Sequence, residues 1–298
     1  MLGQHPQMYG LPETHLLCHE TVGTRAARVA RSAHLSMEHG LLRAVAELYF
    51  GEQTESTVRR ARQWLKVRAD FPTEVLFRTL ADRAFPRLLV EKIPSTVNSI
   101  RCLRRIQRKF PGARFIHLLR HPRGHGESVM KAIAERESRT GPLPPTNWLM
   151  RIASYRPHGA NADSQDGAEV LDPQHWWYAR NATIREFLGS VSRTRQLQVR
   201  GEDLLADPDT HLQAIASWMG LRTDPQAIDM MKHPEHSPYA FIGPRGARFG
   251  NDRIFLQAPA LRSGPAKPQD LDQPLSWRDD GQGFLPEVKA MAREFGYS

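Results

Sequence analysis

Apolar residues in the first 110 positions recur every three to four residues, a period that predicts amphipathic helices packed into a layer. The clearest series is Leu41, Leu42, Val45, Leu48 and Tyr49. Three short segments interrupt this period and predict β-strands: positions 115–119, which are an apolar run, and the candidates at 87–92 and 196–200. Because each segment precedes a helical pattern, the chain predicts an α/β fold with a central parallel sheet flanked by helices.

Two long stretches follow neither period. Positions 139–173 are rich in Pro, Gly, Asn and Asp, and a connection of this length predicts a lid or a substrate-binding loop. Positions 234–274 are also irregular, and an amphipathic helix from about 286 to 295 closes the chain. Since 298 residues can form one full core, we predict a single domain over positions 1–298.

Composition narrows the classes of partner. The formal net charge of +9 comes mostly from arginine, which suits a polyanionic ligand. A nucleotide fits this charge better than nucleic acid, since no zinc-finger, RNP or basic-zipper pattern is present. No apolar run is long enough to cross a membrane. Cys18 and Cys102 are far apart and form neither a metal knuckle nor a disulfide framework, so a reducing, cytoplasmic location is expected.

The run at 115–119 ends in a polar, cationic turn. A helix is predicted to follow, because positions 131–139 have helical composition. Ligands of open α/β sheets bind at the carboxyl ends of strands, and the N-terminus of the next helix attracts anions. Arg120 leaves the strand at this end, and Ser128 follows in the helix. The two side chains predict a phosphate clamp; the alternative is an arginine at a sheet edge and a serine on a solvated helix face.

The interval between these two residues resembles that of the sulfotransferases that use 3'-phosphoadenosine 5'-phosphosulfate (PAPS). In that family an arginine at a strand end and a serine eight positions later hold the 3'-phosphate, which assigns this role to Arg120 and Ser128. Positions 110–116, Phe-Pro-Gly-Ala-Arg-Phe-Ile, are also similar to the family's entry into this strand. The resemblance implies a P-loop-like sulfotransferase fold and PAPS as co-substrate, with no metal.

Glu13 lies in Gly-Leu-Pro-Glu-Thr, at positions 10–14, where an apolar-flanked turn can raise a carboxyl pKa into the range of a general base. A glutamate after proline is also favoured by the helix dipole alone, so the residues leave both interpretations open. Positions 5–14 resemble the segment of tyrosylprotein sulfotransferases whose glutamate deprotonates the acceptor, which implies that Glu13 is the base. The same branch has a strand-end lysine two residues before a proline that stabilises the transition state, and Lys92 matches it.

A glycine-rich, cationic segment at positions 243–252 is loosely similar to the loop that covers the nucleotide in other sulfotransferases. Its glycines leave backbone N–H groups accessible to a phosphate. The expected cofactor-binding residues here are Arg245, Gly246, Arg248 and Gly250.

The first positions contain no strand followed by a Pro-Arg-Ser-Gly-Thr-Thr type loop, which binds the 5'-phosphosulfate in the family. Positions 1–6 resemble the end of the helix that follows this loop, so the sequence is expected to start about 20 residues late and to lack the first strand. As given, such a chain is expected to transfer sulfate poorly.

Several alternatives compete with a PAPS-dependent transfer to a hydroxyl acceptor, which is either a small molecule or a tyrosine, and a basic nucleic-acid binder is one of them. A P-loop kinase lacks its Walker pattern here. A zinc site at His117, His121 and His125 is opposed by Pro122 and the strand, so no metal is expected. A non-catalytic nucleotide-binding relic of the family, without the 5'-phosphosulfate loop, is the alternative from another class. Neither the acceptor nor the oligomeric state follows from the sequence.

Overall fold

The structure is a computed structural model that describes residues 1–31, 35–143, 154–155, 170–265 and 269–298. The chain divides into two compact units, each made of two segments. The first unit comprises Met1–Ala113 and Leu204–Gly264, and the second comprises Arg114–Asp203 and Pro265–Ser298. The single domain expected from chain length stays a prediction.

Helices dominate both units. Twelve α-helices are described: α1 Val22–Arg31, α2 His39–Phe50, α3 Glu55–Lys66, α4 Thr73–Ala84, α5 Ile100–Lys109, α6 Pro122–Thr140, α7 Gln174–Gly189, α8 Gly201–Ala206, α9 Pro208–Met219, α10 Pro225–Met231, α11 Arg253–Gln257 and α12 Pro286–Glu294. The strands are β1 Met8–Gly10, β2 Leu88–Val90, β3 Phe115–Leu119, β4 Ser154–Tyr155, β5 Val170–Leu171 and β6 Gln196–Arg200. Short 3-10 turns include Pro94–Asn98, Pro234–His236 and Arg245–Ala247.

The mixed α/β class predicted from the alternating pattern is confirmed. β1 pairs with β2 and β3 pairs with β6, both in parallel, whereas β4 and β5 are antiparallel. Among the described residues the strands form three two-stranded sheets and no continuous central sheet. The three predicted strands are all present, but β1 escaped prediction because three residues ending in a glycine carry no readable alternation.

In the first unit, the predicted helical layer forms the core. Leu41, Leu42 and Val45 of α2 are fully buried and pack with residues of α3 and α4. Thr54 caps α3 through a reciprocal pair of hydrogen bonds with Thr57, and such a cap stabilises a helix by about 1 kcal/mol. This core lies beside the short β1–β2 pair and supports it.

In the second unit, α7 and α12 pack together around Trp177, Val288 and Met291. α6 begins directly after β3, with Pro122 in its first turn and His121 as its cap, so Ser128 lies within the helix as predicted. The His121 imidazole accepts a hydrogen bond from the Arg123 N–H at 3.1 Å. The cationic segment after β3 is therefore helical.

Cys18 and Cys102 form a disulfide, so the sequence-based interpretation of these cysteines is wrong. Their 84-residue separation gave no sign that the fold joins them. Within the described ranges, no helix is long and apolar enough to span a bilayer. The expected lid at positions 139–173 lies mostly outside the described residues.

Candidate active site

Glu13 and Lys92 both follow the carboxyl ends of paired strands. β1 and β2 run in register up to Gly10 and Val90, and the Leu11 N–H extends the pairing by donating to the Val90 carbonyl at 2.9 Å. Lys92, two residues after Val90, donates a hydrogen bond through Nζ to Glu13 Oε1. The Lys92 side chain is 66% exposed and that of Glu13 is 21% exposed. The structure thus brings together the predicted base and the predicted cation.

The backbone of Glu13 is held by two glycines. Its N–H donates to the Gly250 carbonyl at 2.6 Å. On its other side, a Cβ added at Gly40 would lie 2.0 Å from the Glu13 carbonyl oxygen, so only glycine fits there. Gly250 has φ +126° and lies against Gly40, which again excludes a side chain. These contacts fix where Glu13 leaves the strand end.

The residues beside Glu13 and Lys92 were not predicted. Glu91 accepts a hydrogen bond from the fully buried Thr14 hydroxyl. Burial raises the pKa of Glu91 to about 7, against the lowering effects of the Thr14 hydrogen bonds and the Arg25 charge. Arg25 is itself buried, and its Nε donates to the Thr14 carbonyl at 3.0 Å. Only adjacency in sequence to Glu13 and Lys92 could have indicated Thr14 and Glu91.

His15 lies on the other side of Glu13. Its Nε2 is 3.8 Å from Glu13 Oε2, and its Nδ1 is 3.0 Å from Ser95 Oγ. Burial lowers the pKa of His15 to about 4, and the charges of Arg25 and Lys92 act in the same direction. The imidazole is therefore neutral near pH 7.

Arg120 and Ser128 lie in the second unit. Arg120 follows β3 at its carboxyl end, and Ser128 lies two turns into α6. Both residues are exposed. The Arg120 backbone is anchored because its carbonyl accepts a hydrogen bond from Trp177 Nε1 at 2.9 Å. The guanidinium thus projects from a fixed strand end.

A second arginine and a histidine accompany Arg120. The pKa of His125 falls to about 4, mainly through burial and further through the charges of Arg120 and Arg180. His125 stacks on Trp176 with ring centroids 4.9 Å apart, and the Arg180 guanidinium lies 3.7 Å from the centroid of the same indole. Two buried atoms here, His125 Nε2 and Arg180 Nε, have no hydrogen-bond partner among the described residues. This set of cations and open polar atoms fits an anionic ligand.

The late glycine-rich loop belongs to the first unit. Arg245 and Arg248 are exposed, whereas the Gly246 N–H already donates to both carboxylate oxygens of Glu55, at 3.1 and 3.2 Å. The Gly250 carbonyl accepts the hydrogen bond from the Glu13 N–H. The structure thus links one end of the predicted covering loop to the predicted base.

The three histidines of the rival metal site have separate contacts. His117 bonds to Asn181 at 2.9 Å, His121 caps α6, and His125 stacks on tryptophan. Elsewhere, the potential ligand atoms of His233, Glu235 and His236 lie within 4.8 Å of one another, and this is the one such group among the described residues.

A carboxylate paired with a lysine at the ends of parallel strands, in an α/β chain rich in arginine, is an arrangement compatible with group transfer from an anionic donor. Residues 1–225 match the protein-family model described as "Sulfotransferase family". The chain therefore belongs to the sulfotransferase family. No curated protein matches it.

Two solved structures are similar to this chain. The sulfotransferase domain from the Synechococcus PCC 7002 olefin synthase is 25% identical, with a TM-score of 0.66 over 100% of this chain and 88% of that chain. The sulfotransferase domain from the curacin biosynthetic pathway is 19% identical, with a TM-score of 0.64 over 100% and 91%. The second similarity concerns the fold alone.

Proposed function

We propose that this protein transfers a sulfuryl group from PAPS to a hydroxyl acceptor. The observation that carries the proposal is the contact between Glu13 and Lys92 at the ends of two paired strands, in a chain of the sulfotransferase family. A base and a cation are the two groups that such a transfer requires at the reacting centre.

Sulfuryl transfer is chemically analogous to phosphoryl transfer and passes through a loose in-line transition state. The acceptor oxygen forms a bond to sulfur while the bond between sulfur and the bridging oxygen breaks. Glu13 takes the proton of the acceptor hydroxyl, and the leaving group departs as adenosine 3',5'-bisphosphate. Lys92, on a long exposed side chain, exchanges its contact with Glu13 for the bridging oxygen and stabilises the charge that develops there.

The nucleotide end of the donor is assigned to Arg120 and Ser128, which would bind the 3'-phosphate through a charged fork and a hydroxyl. The fit is supported by the anchored backbone of Arg120 and by the open polar atoms of His125 and Arg180. The segment from Arg245 to Gly250 is proposed to cover the nucleotide.

The mechanism needs no metal, and nucleic acid is not a proposed partner. A small hydroxyl-bearing molecule is favoured as the acceptor, because the 25% identical relative is a domain of an olefin synthase; a tyrosine is the second candidate. The cytoplasmic location expected from the sequence depended on cysteines without a disulfide, and the Cys18–Cys102 bond removes that ground, so no location is proposed.

The test is release of adenosine 3',5'-bisphosphate from PAPS in the presence of aliphatic alcohols, phenols and a tyrosine peptide. We expect turnover with at least one acceptor and a loss of about 10²-fold or more in kcat for Glu13→Gln, the usual contribution of a general base. Glu52→Gln, at an exposed glutamate of the same unit, is the matched control and should leave kcat unchanged. Absence of turnover with every acceptor, or full activity of Glu13→Gln, would refute the proposal.

A further inference from the structure

His15 has a backbone conformation that is unusual for a residue other than glycine. Its φ is +50°, and it is the one non-glycine residue with positive φ among those the structure describes. Left-handed backbone at a non-glycine residue costs free energy and clusters at functional sites. At His15 this conformation accompanies a side chain that contacts both Ser95 and the candidate base, Glu13.

Each of the two strand ends contributes two residues to these contacts. Glu13 and His15 follow β1, whereas Lys92 and Ser95 follow β2. Lys92 contacts Oε1 of Glu13, and the imidazole faces Oε2. Both carboxylate oxygens therefore have a neighbour, and each oxygen keeps a second lone pair for the acceptor proton.

The positions of the protons among Ser95, His15 and Glu13 can be inferred from the chemistry of these side chains. A neutral imidazole has one N–H, and the ring nitrogen that faces a carboxylate is favoured to carry it. Nε2 of His15 lies 3.8 Å from Glu13 Oε2 and Nδ1 lies 3.0 Å from Ser95 Oγ; in the Nε2–H tautomer, Nδ1 is the acceptor and the Ser95 hydroxyl is the donor. The separation of 3.8 Å between Nε2 and Oε2 is longer than a hydrogen bond, as catalytic contacts often are before substrate binds.

We propose that His15 is a positioning residue of the acceptor site. Ser95 orients the imidazole, and the imidazole Nε2–H orients the Glu13 carboxylate toward the acceptor hydroxyl. His15 and Ser95 keep their protons during the reaction, because Glu13 alone takes the acceptor proton. The inference rests on the proposed function and adds a residue to its site.

The kinetic test uses His15→Gly, since glycine adopts the φ of +50° without strain and leaves room for free imidazole. We expect kcat to fall about tenfold, which is 1.4 kcal/mol of transition-state stabilisation, with KM for PAPS unchanged. Added imidazole should restore part of kcat, an effect that a purely structural role would not produce. Ser95→Ala should lower kcat in the same direction by a smaller factor.

His19→Asn is the matched control, because His19 belongs to the same segment and its carbonyl, rather than its ring, holds Thr73. It should keep the kcat of the wild type. Wild-type kcat in His15→Gly, or a folded His15→Gly that imidazole does not rescue, would overturn the role of His15 while leaving the proposed function intact.

A second measurement does not depend on turnover. Long-range proton–nitrogen NMR spectra of histidine-labelled protein report the tautomer of each ring, and His15→Asn identifies the signal. The proposal requires a neutral Nε2–H tautomer at about pH 6. An imidazolium or an Nδ1–H tautomer would overturn it, even for a protein in which no sulfuryl transfer is found.

Discussion

At the scale of single residues, two adjacent strand ends hold carboxylates in different environments. Glu13 is partly exposed and contacts a lysine, whereas Glu91 is held by a buried threonine and has a pKa raised to about 7. Burial of a carboxyl disfavours its ionised form, so the two groups respond differently to pH. Glu91 lies one residue before Lys92. Protonation of Glu91 therefore affects the stability of the folded protein next to the candidate site.

The raised pKa of Glu91 predicts a specific pH dependence. Between its unfolded pKa of 4.5 and its folded pKa of about 7, the folded state binds more protons, so this contribution to stability is present below pH 4.5 and is lost as pH rises to about 7. Glu91→Gln removes the titration and keeps an acceptor for Thr14. From about pH 5 to about pH 8, the unfolding free energy of this variant should rise relative to that of the wild type by on the order of 2 kcal/mol. Its melting temperature should rise relative to that of the wild type over the same range. A difference between variant and wild type that stays constant over this pH range would contradict the assignment.

Lys92 carries the second prediction at this scale. Lys92→Met keeps the length of the side chain and removes the charge, so it should lower kcat about 10²-fold with little change in nucleotide affinity. Lys66→Met, at an exposed lysine that ends α3, is the control and should leave both parameters unchanged. Steady-state kinetics and calorimetric titration measure the two effects; equal losses in both variants would exclude a specific role for Lys92.

At the scale of elements, Glu13 is placed by close contacts of backbone with backbone. Gly40 opens α2 directly against the Glu13 carbonyl, and Gly250 accepts from its N–H. Sequence patterns predicted β3 and β6 as short segments that precede helical patterns. They indicated Lys92 as a strand-end lysine, and Glu13 through the segment at positions 5–14. They could not predict the Gly40 contact, which joins positions far apart and leaves no periodic trace.

The Gly40 contact gives an element-scale prediction. A methyl group at position 40 would lie 2.0 Å from the Glu13 carbonyl oxygen, so Gly40→Ala must move the helix or the strand end. We expect a loss of about 1 to 3 kcal/mol in unfolding free energy, typical of overpacking, together with reduced kcat. Gly112→Ala, where an added Cβ meets nothing within 4 Å, should change neither quantity. Thermal or urea unfolding of the two variants distinguishes the outcomes, and a stable, active Gly40→Ala would disprove the contact.

At the scale of the whole molecule, the disulfide and the net charge shape the protein. The Cys18–Cys102 bond ties the segment that carries Glu13 and His15 to α5 within the first unit. The sequence could not indicate this pairing, because two cysteines 84 residues apart fit no spacing rule. The charge of +9, in contrast, was readable from composition and agrees with the cationic surroundings of Arg120.

The disulfide predicts a stability difference between redox states. Closing a loop of 84 residues restricts the unfolded chain, and the entropy model places its contribution at about 4.6 kcal/mol. Reduction, or the double change Cys18→Ser with Cys102→Ser, should therefore lower the melting temperature by several degrees. Two reactive thiols in the denatured, unreduced protein would contradict the bond.

The proposed use of PAPS requires that the protein recognise a 3'-phosphate, the role proposed for Arg120 and Ser128. Calorimetric titration with adenosine 3',5'-bisphosphate and adenosine 5'-monophosphate tests this most directly. We predict tighter binding of the bisphosphate. Arg120→Ala should remove about 10- to 100-fold of that preference, the usual contribution of a charge-assisted hydrogen bond, and Ser128→Ala should remove less. The exposed Arg59→Ala should retain it. Equal affinity for the two nucleotides, or an unchanged preference in Arg120→Ala, would contradict this claim.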